Sequence, residues 1–176
     1  MSVPISAYLL ETREGLVVLD TGFDANLLPD PGLRKDHFTT HGWEAPVVWP
    51  QHEMLTQLAQ IGAAPEDIRH VILSHAHLDH TGNLKHFAHA KVWMQLAERD
   101  FAFADLPHAG VIPRDLDKPG IGWQWVEGDH EIMPSLTLLA TPGHTPGGPP
   151  ICAGDAARNG QGAAGGRCGR LAAELR

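Results

Sequence analysis

The sequence predicts an α/β fold, and two observations support this. Apolar and β-branched runs at 5–10, 16–19, 71–73 and 91–94 are typical of strands. The segment 53–61 carries one apolar stripe at helical spacing and is closed by a glycine. Strand-like and helix-like segments therefore alternate along the chain, which is the order expected of an α/β domain.

The length and composition limit what the chain can be. With 176 residues and 43% hydrophobic residues, it forms one domain that can bury a core without disulfides. The net charge of −8 argues against nucleic acid or an anionic membrane as partner. No apolar segment approaches transmembrane length, and the N-terminus lacks the features of a signal peptide. Cys152 and Cys168 are too few for a disulfide framework, so we expect a cytoplasmic protein.

The first two strands are separated by Glu11-Thr-Arg-Glu-Gly15, which predicts a hairpin. Residues 23–50 are rich in proline and glycine, which predicts mostly loop. This loop carries Trp43 and Trp49, which either form a wall of a substrate pocket or anchor the loop to the body of the protein. The sequence leaves both interpretations open.

The second half of the domain continues the alternation of elements. In chain order the sequence predicts a short helix at 84–89, a strand at 91–94, a helix at 95–103, a loop at 106–122, and strands at 123–126 and 136–140. The loop at 106–122 is a second candidate wall of a substrate pocket. A polar turn around Gly128-Asp129 is expected to join the last two strands.

Four potential metal ligands, His75, His77, Asp79 and His80, follow the strand at 71–73. On a regular strand the first two would share a face and His80 would point away. An irregular loop could instead turn His75 and His77 towards one ion, and Asp79 and His80 towards a second. Imidazole nitrogen and carboxylate oxygen, without thiolate, are the ligands of hydrolytic zinc or a related divalent metal. A histidine-rich loop that binds no ion is the alternative.

Other histidines are weaker candidates. His86 and His89 are spaced i, i+3, but no third ligand accompanies them, so we expect a solvated pair. His37 and His41 have no ligand partners at useful spacing, and we assign neither to a metal.

The motif of residues 75–80 resembles the signature of the metallo-β-lactamase superfamily, whose fold is a four-layer αββα sandwich. Leu16-Val-Val-Leu-Asp-Thr-Gly22 and Thr141-Pro-Gly-His144-Thr-Pro-Gly147 are similar to segments of the N-acyl-homoserine lactonases. The resemblance covers residues 1–147. It implies a metallo-β-lactamase-like αββα sandwich that is incomplete in its C-terminal half.

The resemblance also implies a set of ligands. His144 would join His75 and His77 around a first metal and leave one position open, as in catalytic zinc sites. Asp79 and His80, with Asp155, would hold a second metal. Asp20 would accept a hydrogen bond from a ligating histidine and so fix its orientation. The alternative is an ordinary turn aspartate before a glycine. The cofactor is Zn²⁺, with two ions in the family and one tightly held ion expected here.

The activity implied is that of a metal-dependent hydrolase resembling N-acyl-homoserine lactonase, which opens the lactone ring with metal-bound hydroxide and thereby quenches quorum sensing. Asp79 would be the catalytic residue that passes a proton to the leaving oxygen. The partner would be a small-molecule substrate, an acyl-homoserine lactone or a related ester; a homodimer is left open. The alternatives are a thioesterase of the glyoxalase II type, a β-lactamase, or an inactive truncated product that binds metal.

Residues 148–176 depart from the family pattern. They are rich in glycine, alanine and arginine, with almost no core-forming residue, which predicts an irregular tail. Gly148 stands where a further histidine is expected, and Arg158 where the family has a catalytic tyrosine. Asp155 comes too few residues after His144 to leave room for the strands that the family has between these two positions. We interpret this ending as that of a truncated or frameshifted lactonase-like chain.

Overall fold

Two β-sheets form the centre of the fold. The computed structural model describes residues 4–105, 108, 110–134, 136–148, 151–153 and 168–171. The strands in these residues are Ala7–Thr12 (β1), Gly15–Leu19 (β2), Ile68–Ile72 (β3), Lys91–Gln95 (β4), Gly122–Val126 (β5), His130–Met133 (β6), Leu136–Leu139 (β7), Ile151–Ala153 (β8) and Cys168–Leu171 (β9). The α-helices are Pro31–His37 (α1), Met54–Gln60 (α2), Leu78–Thr81 (α3), Leu96–Ala102 (α4) and Pro113–Leu116 (α5).

The larger sheet has the strand order β5-β4-β3-β2-β1-β9. Neighbouring strands from β2 to β5 run parallel, whereas β1 is antiparallel to both β2 and β9. The smaller sheet has the order β6-β7-β8, with antiparallel neighbours. Because the parallel strands all end at one edge, the loops that follow β2, β3 and β4 meet there.

The two faces of the larger sheet are covered by different layers. On β2, Val17 and Val18 are both fully buried but belong to different clusters, because successive side chains point to opposite faces. Val17 and its neighbours pack against Met133, Leu136 and Leu138 of the smaller sheet. Val18 lies in the cluster that contains the helix residues Met54, Leu58 and Ala102. Helices, the larger sheet and the smaller sheet are therefore three successive layers.

Apart from the segment at 84–89, the predicted strands and helices are present with small shifts of their ends, but two predicted loops contain helices. Residues 23–50 were expected to be mostly loop, yet α1 lies within them. The Asp30 side chain accepts hydrogen bonds from the N–H groups of Gly32 and Leu33, and Pro31 occupies the first helical turn. Likewise α5 interrupts the loop at 106–122 and also begins with a proline, Pro113.

Three further elements differ from the prediction. The segment expected to be a short helix at 84–89 is a 3₁₀ turn, Leu84–Phe87. The turn at Gly128-Asp129 leads into β6, a strand that the polar start His130-Glu131 concealed, and β6 in turn pairs with β7. Asp79 and His80 lie on the single helical turn α3 rather than on an irregular loop.

The strands β8 and β9 lie within residues 148–176, for which the sequence predicts an irregular tail. β8 pairs with β7 in the smaller sheet, and β9 pairs with β1 at the edge of the larger one. Backbone hydrogen bonds at a sheet edge do not require apolar side chains, so composition alone does not exclude such strands. The domain boundary at 147 stays a prediction.

Candidate metal centre

Three histidine side chains converge beyond the end of β3. The Nε2 atom of His75 lies 3.1 Å from Nδ1 of His77, and Nε2 of His144 lies 3.1 Å from the same Nδ1. One nitrogen from each ring lies within 4.8 Å of the other two. His75 is buried, His77 is partly buried and His144 is exposed, so the cluster opens to solvent on the His144 side. The sequence-based grouping of these three residues therefore agrees with the geometry.

The surroundings of the cluster favour neutral imidazoles. Burial, followed by the nearby His80 and His77 rings, lowers the pKa of His75 to about 3. Burial and the adjacent His144 ring lower the pKa of His77. The Ser74 hydroxyl lies 2.9 Å from Nδ1 of His75, so a proton on Nδ1 would leave the lone pair of Nε2 facing the cluster. Neutral imidazoles with converging lone pairs are suited to a cation.

Asp79 and His80 form a second group beside the first. Nε2 of His80 lies 3.4 Å from an Asp79 oxygen, and the His75 and His80 ring centroids are 4.1 Å apart. Burial acts to lower the pKa of His80, but hydrogen bonds to Asp20 and Asp79 outweigh it and raise this pKa to about 10. Burial acts to raise the pKa of Asp79, but the hydrogen bond from His80 outweighs it and lowers this pKa. Without a cation beside them the two shifts favour an ion pair, and a cation bound by both side chains would displace the His80 proton.

Asp20 supports this pair, in line with the position expected of it. One of its oxygens accepts a hydrogen bond from Nδ1 of His80 at 2.8 Å, and the other accepts the Ser74 N–H at 2.7 Å. Its backbone is left-handed, with φ 59°, a conformation that aspartate tolerates better than most residues. The Asp20 side chain therefore joins the ends of β2 and β3 to the ring of His80.

Two supporting residues were missed by the sequence analysis. The Ser74 hydroxyl lies within hydrogen-bonding distance of both His75 and His80. Glu98 on α4 is fully buried, and its carboxylate accepts backbone N–H groups from Ala76 and Gly147. A serine at the end of a strand is a visible signal next to the motif, whereas a single glutamate in a helix carries none.

The predicted wall loop at 106–122 reaches the cluster, and Trp43 of the loop at 23–50 lies next to it. A Cβ atom built on Gly110 would lie 3.6 Å from the His77 ring and 4.0 Å from the Trp43 ring. Gly110 also accepts a hydrogen bond from the N–H of Leu78 at 2.7 Å. Trp43 and Trp49 are each about half exposed, and the role of their loop as a pocket wall stays a prediction.

The remaining candidates fall into two groups. Asp155 and Arg158 fall outside the described residues. His37, His41, His86 and His89 are not members of the three-histidine cluster.

Comparison with known proteins explains this arrangement. The sequence profile of the metallo-beta-lactamase superfamily matches residues 2–158. The chain belongs to the metallo-beta-lactamase superfamily. An N-acyl homoserine lactonase from a Bacillus species is 33% identical over 84% of this chain and 57% of the relative. The lactonase AttM of Agrobacterium fabrum is 32% identical over 82% of this chain and 57% of its own length. The chain thus spans little more than half the length of these relatives.

Solved structures of this superfamily confirm the predicted fold class. The AiiA protein of Bacillus thuringiensis, in a form with N-decanoyl-L-homoserine bound at the active site, matches with a TM-score of 0.70 and 30% identity. The match covers 83% of this chain and 56% of that one. An N-acyl homoserine lactone hydrolase with N-hexanoyl-L-homoserine bound at its catalytic metal centre matches equally well, with TM-score 0.70.

None of the helices in the described part of this metallo-beta-lactamase superfamily member is long and apolar enough to cross a membrane.

Proposed function

We propose that this chain is a zinc-dependent hydrolase of the lactonase type, which opens the ester ring of acyl-homoserine lactones and so quenches quorum sensing. The observation that carries the proposal is the convergence of His75, His77 and His144 at the edge of a metallo-beta-lactamase fold. The lactonases among its relatives, and the acyl-homoserine products bound to two similar structures, support this substrate class.

The donor set fits zinc. Three imidazole nitrogens within 4.8 Å of one another leave room for one cation among them, and three protein ligands leave a coordination position open. A bound zinc ion supplies a Lewis acid that activates water and polarises an ester carbonyl. Under this proposal Asp79 and His80, together with Asp155, would contribute to a second ion, which is held more weakly.

The chain's own residues would then handle the proton. Lactone opening adds a water oxygen to the carbonyl carbon, breaks the ring C–O bond and delivers a proton to the leaving oxygen. Under this proposal the Asp79 carboxylate, whose side chain is 37% exposed, relays the proton from water to the leaving oxygen. Nε2 of His80 lies 3.4 Å from the Asp79 carboxylate and helps to hold it in place.

The experiment that tests the proposal uses the purified 176-residue chain loaded with zinc. We expect acid release from an acyl-homoserine lactone, and little hydrolysis of an acyl thioester or a β-lactam. A preference for the thioester or the β-lactam would assign another hydrolase activity of the superfamily, and metal binding without any hydrolysis would indicate an inactive product. A cytoplasmic location and a homodimer stay predictions.

A further inference from the structure

Glu98 is a fully buried carboxylate that the chemistry described above does not use. It is the third residue of α4. One oxygen accepts the N–H of Ala76 at 3.0 Å, and the other accepts the N–H of Gly147 at 2.7 Å. A glutamate at this helical position commonly bonds back to the start of its own helix, but here both oxygens contact other segments.

The two donors lie in the two loops that carry the histidine cluster. Ala76 stands between His75 and His77, and Gly147 stands three residues after His144. One side chain therefore joins the loop after β3 to the loop after β7. Hydrogen bonds to a carboxylate are stronger than those between neutral groups, and burial without partners would be costly for such a group.

The loop of His144 is shaped to make this contact. A Cβ atom on Gly147 would lie 2.5 Å from Cγ of Glu98 and 3.0 Å from Cβ of Gln95, so only glycine lets the backbone approach so closely. The carbonyl of Thr145 accepts the N–H groups of both Gly143 and Gly148, at 3.1 Å each. These hydrogen bonds fold residues 143–148 into a compact turn, and the hydrogen bond to Glu98 attaches this turn to α4.

We propose that Glu98 is a positioning residue that holds the two histidine-bearing loops together before metal binds. This inference rests on the proposed function, because the loops it joins are those of the proposed zinc ligands. In the metal-free protein the three imidazoles are then already close to their binding arrangement. Ordering them therefore costs little free energy when the ion binds. Without the carboxylate, the His144 loop loses its attachment to the loop of His75 and His77.

The test is amide hydrogen exchange on the metal-free full chain, followed by zinc titration, for wild type and Glu98→Gln. Glutamine keeps the shape but replaces one accepting oxygen with an NH₂ donor, so at least one of the two N–H groups loses its partner. We expect the amide of Ala76 or Gly147 to exchange at least about tenfold faster. Zinc affinity should fall by about 10–100-fold, as for other residues that orient metal ligands. The absorption spectrum of bound Co²⁺ should also change.

Val17→Ala is the matched control, since Val17 is equally buried but lies between the two sheets. It should lower stability without altering the exchange of either amide, the zinc affinity or the Co²⁺ spectrum. Gly147→Ala disrupts the same contact through the other residue and should reproduce the effects of Glu98→Gln. It also serves as the test variant if Glu98→Gln does not fold.

Unchanged exchange at both amides in Glu98→Gln would overturn the positioning role, and so would faster exchange with unchanged zinc affinity. If the wild-type chain binds no zinc, the proposed function fails, and the positioning of zinc ligands by Glu98 fails with it. In that case the exchange rates still show whether Glu98 joins the two loops, so the two failures are distinguishable.

Discussion

Gly82 follows α3, and its substitution by alanine should destabilise the protein through backbone contact alone. Its N–H donates to the carbonyl of Gly22 at 2.9 Å, so the two chain segments lie side by side. A Cβ atom at Gly82 would lie 2.3 Å from the N atom of Asp24 and 2.8 Å from the O atom of Gly22. Both are backbone atoms, which cannot rotate away. The φ of Gly82 is −58°, which alanine adopts readily, so no conformational penalty adds to the steric one.

The magnitude follows from the distances. Ordinary contact begins at 3.4 Å, so the two segments must separate by about 1 Å. Overpacking of this kind costs about 1–3 kcal/mol. The smaller entropy of the unfolded alanine chain returns about 0.4–1 kcal/mol of this. With about 2–4 °C per kcal/mol for a chain of this size, we expect the Tm to fall by several degrees.

Thermal and urea unfolding of metal-free protein would measure the effect. The matched control is Gly143→Ala, because a Cβ atom at Gly143 would meet nothing within 4 Å. Its free energy of unfolding should stay within about 0.5 kcal/mol of wild type. Equal Tm values for Gly82→Ala and wild type would refute the close packing of α3 against residues 22–24.

Three further predictions concern the metal and the charge pairs. After dialysis we expect about one zinc ion per chain, since the first group has three imidazoles and the second offers only Asp79 and His80 among the described residues. Two retained ions, by metal analysis, would contradict this. His77→Ala should abolish zinc retention and His86→Ala should leave it unchanged, in the same measurement. Burial acts to raise the pKa of Asp24, but hydrogen bonds, first from Lys85, outweigh it and lower this pKa. The stability that this depressed pKa contributes is present above 3.8 and is lost as the pH falls through the folded-state value. In urea unfolding Asp24→Asn should therefore cost stability at neutral pH and little at about pH 2, and an equal loss at both would contradict the assignment.

The sequence predicted the fold class and pointed to four of the candidate ligands because both leave local patterns. Strands and helices show in the spacing of apolar residues, and His75, His77, Asp79 and His80 stand together directly after a buried strand. Asp20 and His144 were found through the family resemblance, since neither carries a local signal strong enough to assign a role.

Elements set by capping were predicted less well. The prolines and glycines of residues 23–50 favour loop, and this prediction is wrong for α1. The Asp30-Pro31 pair is nevertheless a helix start, with an N-cap side chain followed by proline in the first turn.

The strand β6 was missed because its first two residues are polar and exposed, which is ordinary for a strand with one face in water.

The residues that hold the site together were invisible for a different reason. Ligands must have particular side chains, so they leave a motif, but the groups that Glu98 joins are backbone N–H groups, which nearly every residue has. Only two residues of this contact must have a particular identity: Glu98 for its carboxylate and Gly147 for its lack of a side chain. These two positions are far apart in the chain and share no pattern. Motif spacing can therefore identify which side chains would bind a metal. Only the fold can identify which residue brings His144 to the other two, and in this chain the contacts assign that part to Glu98.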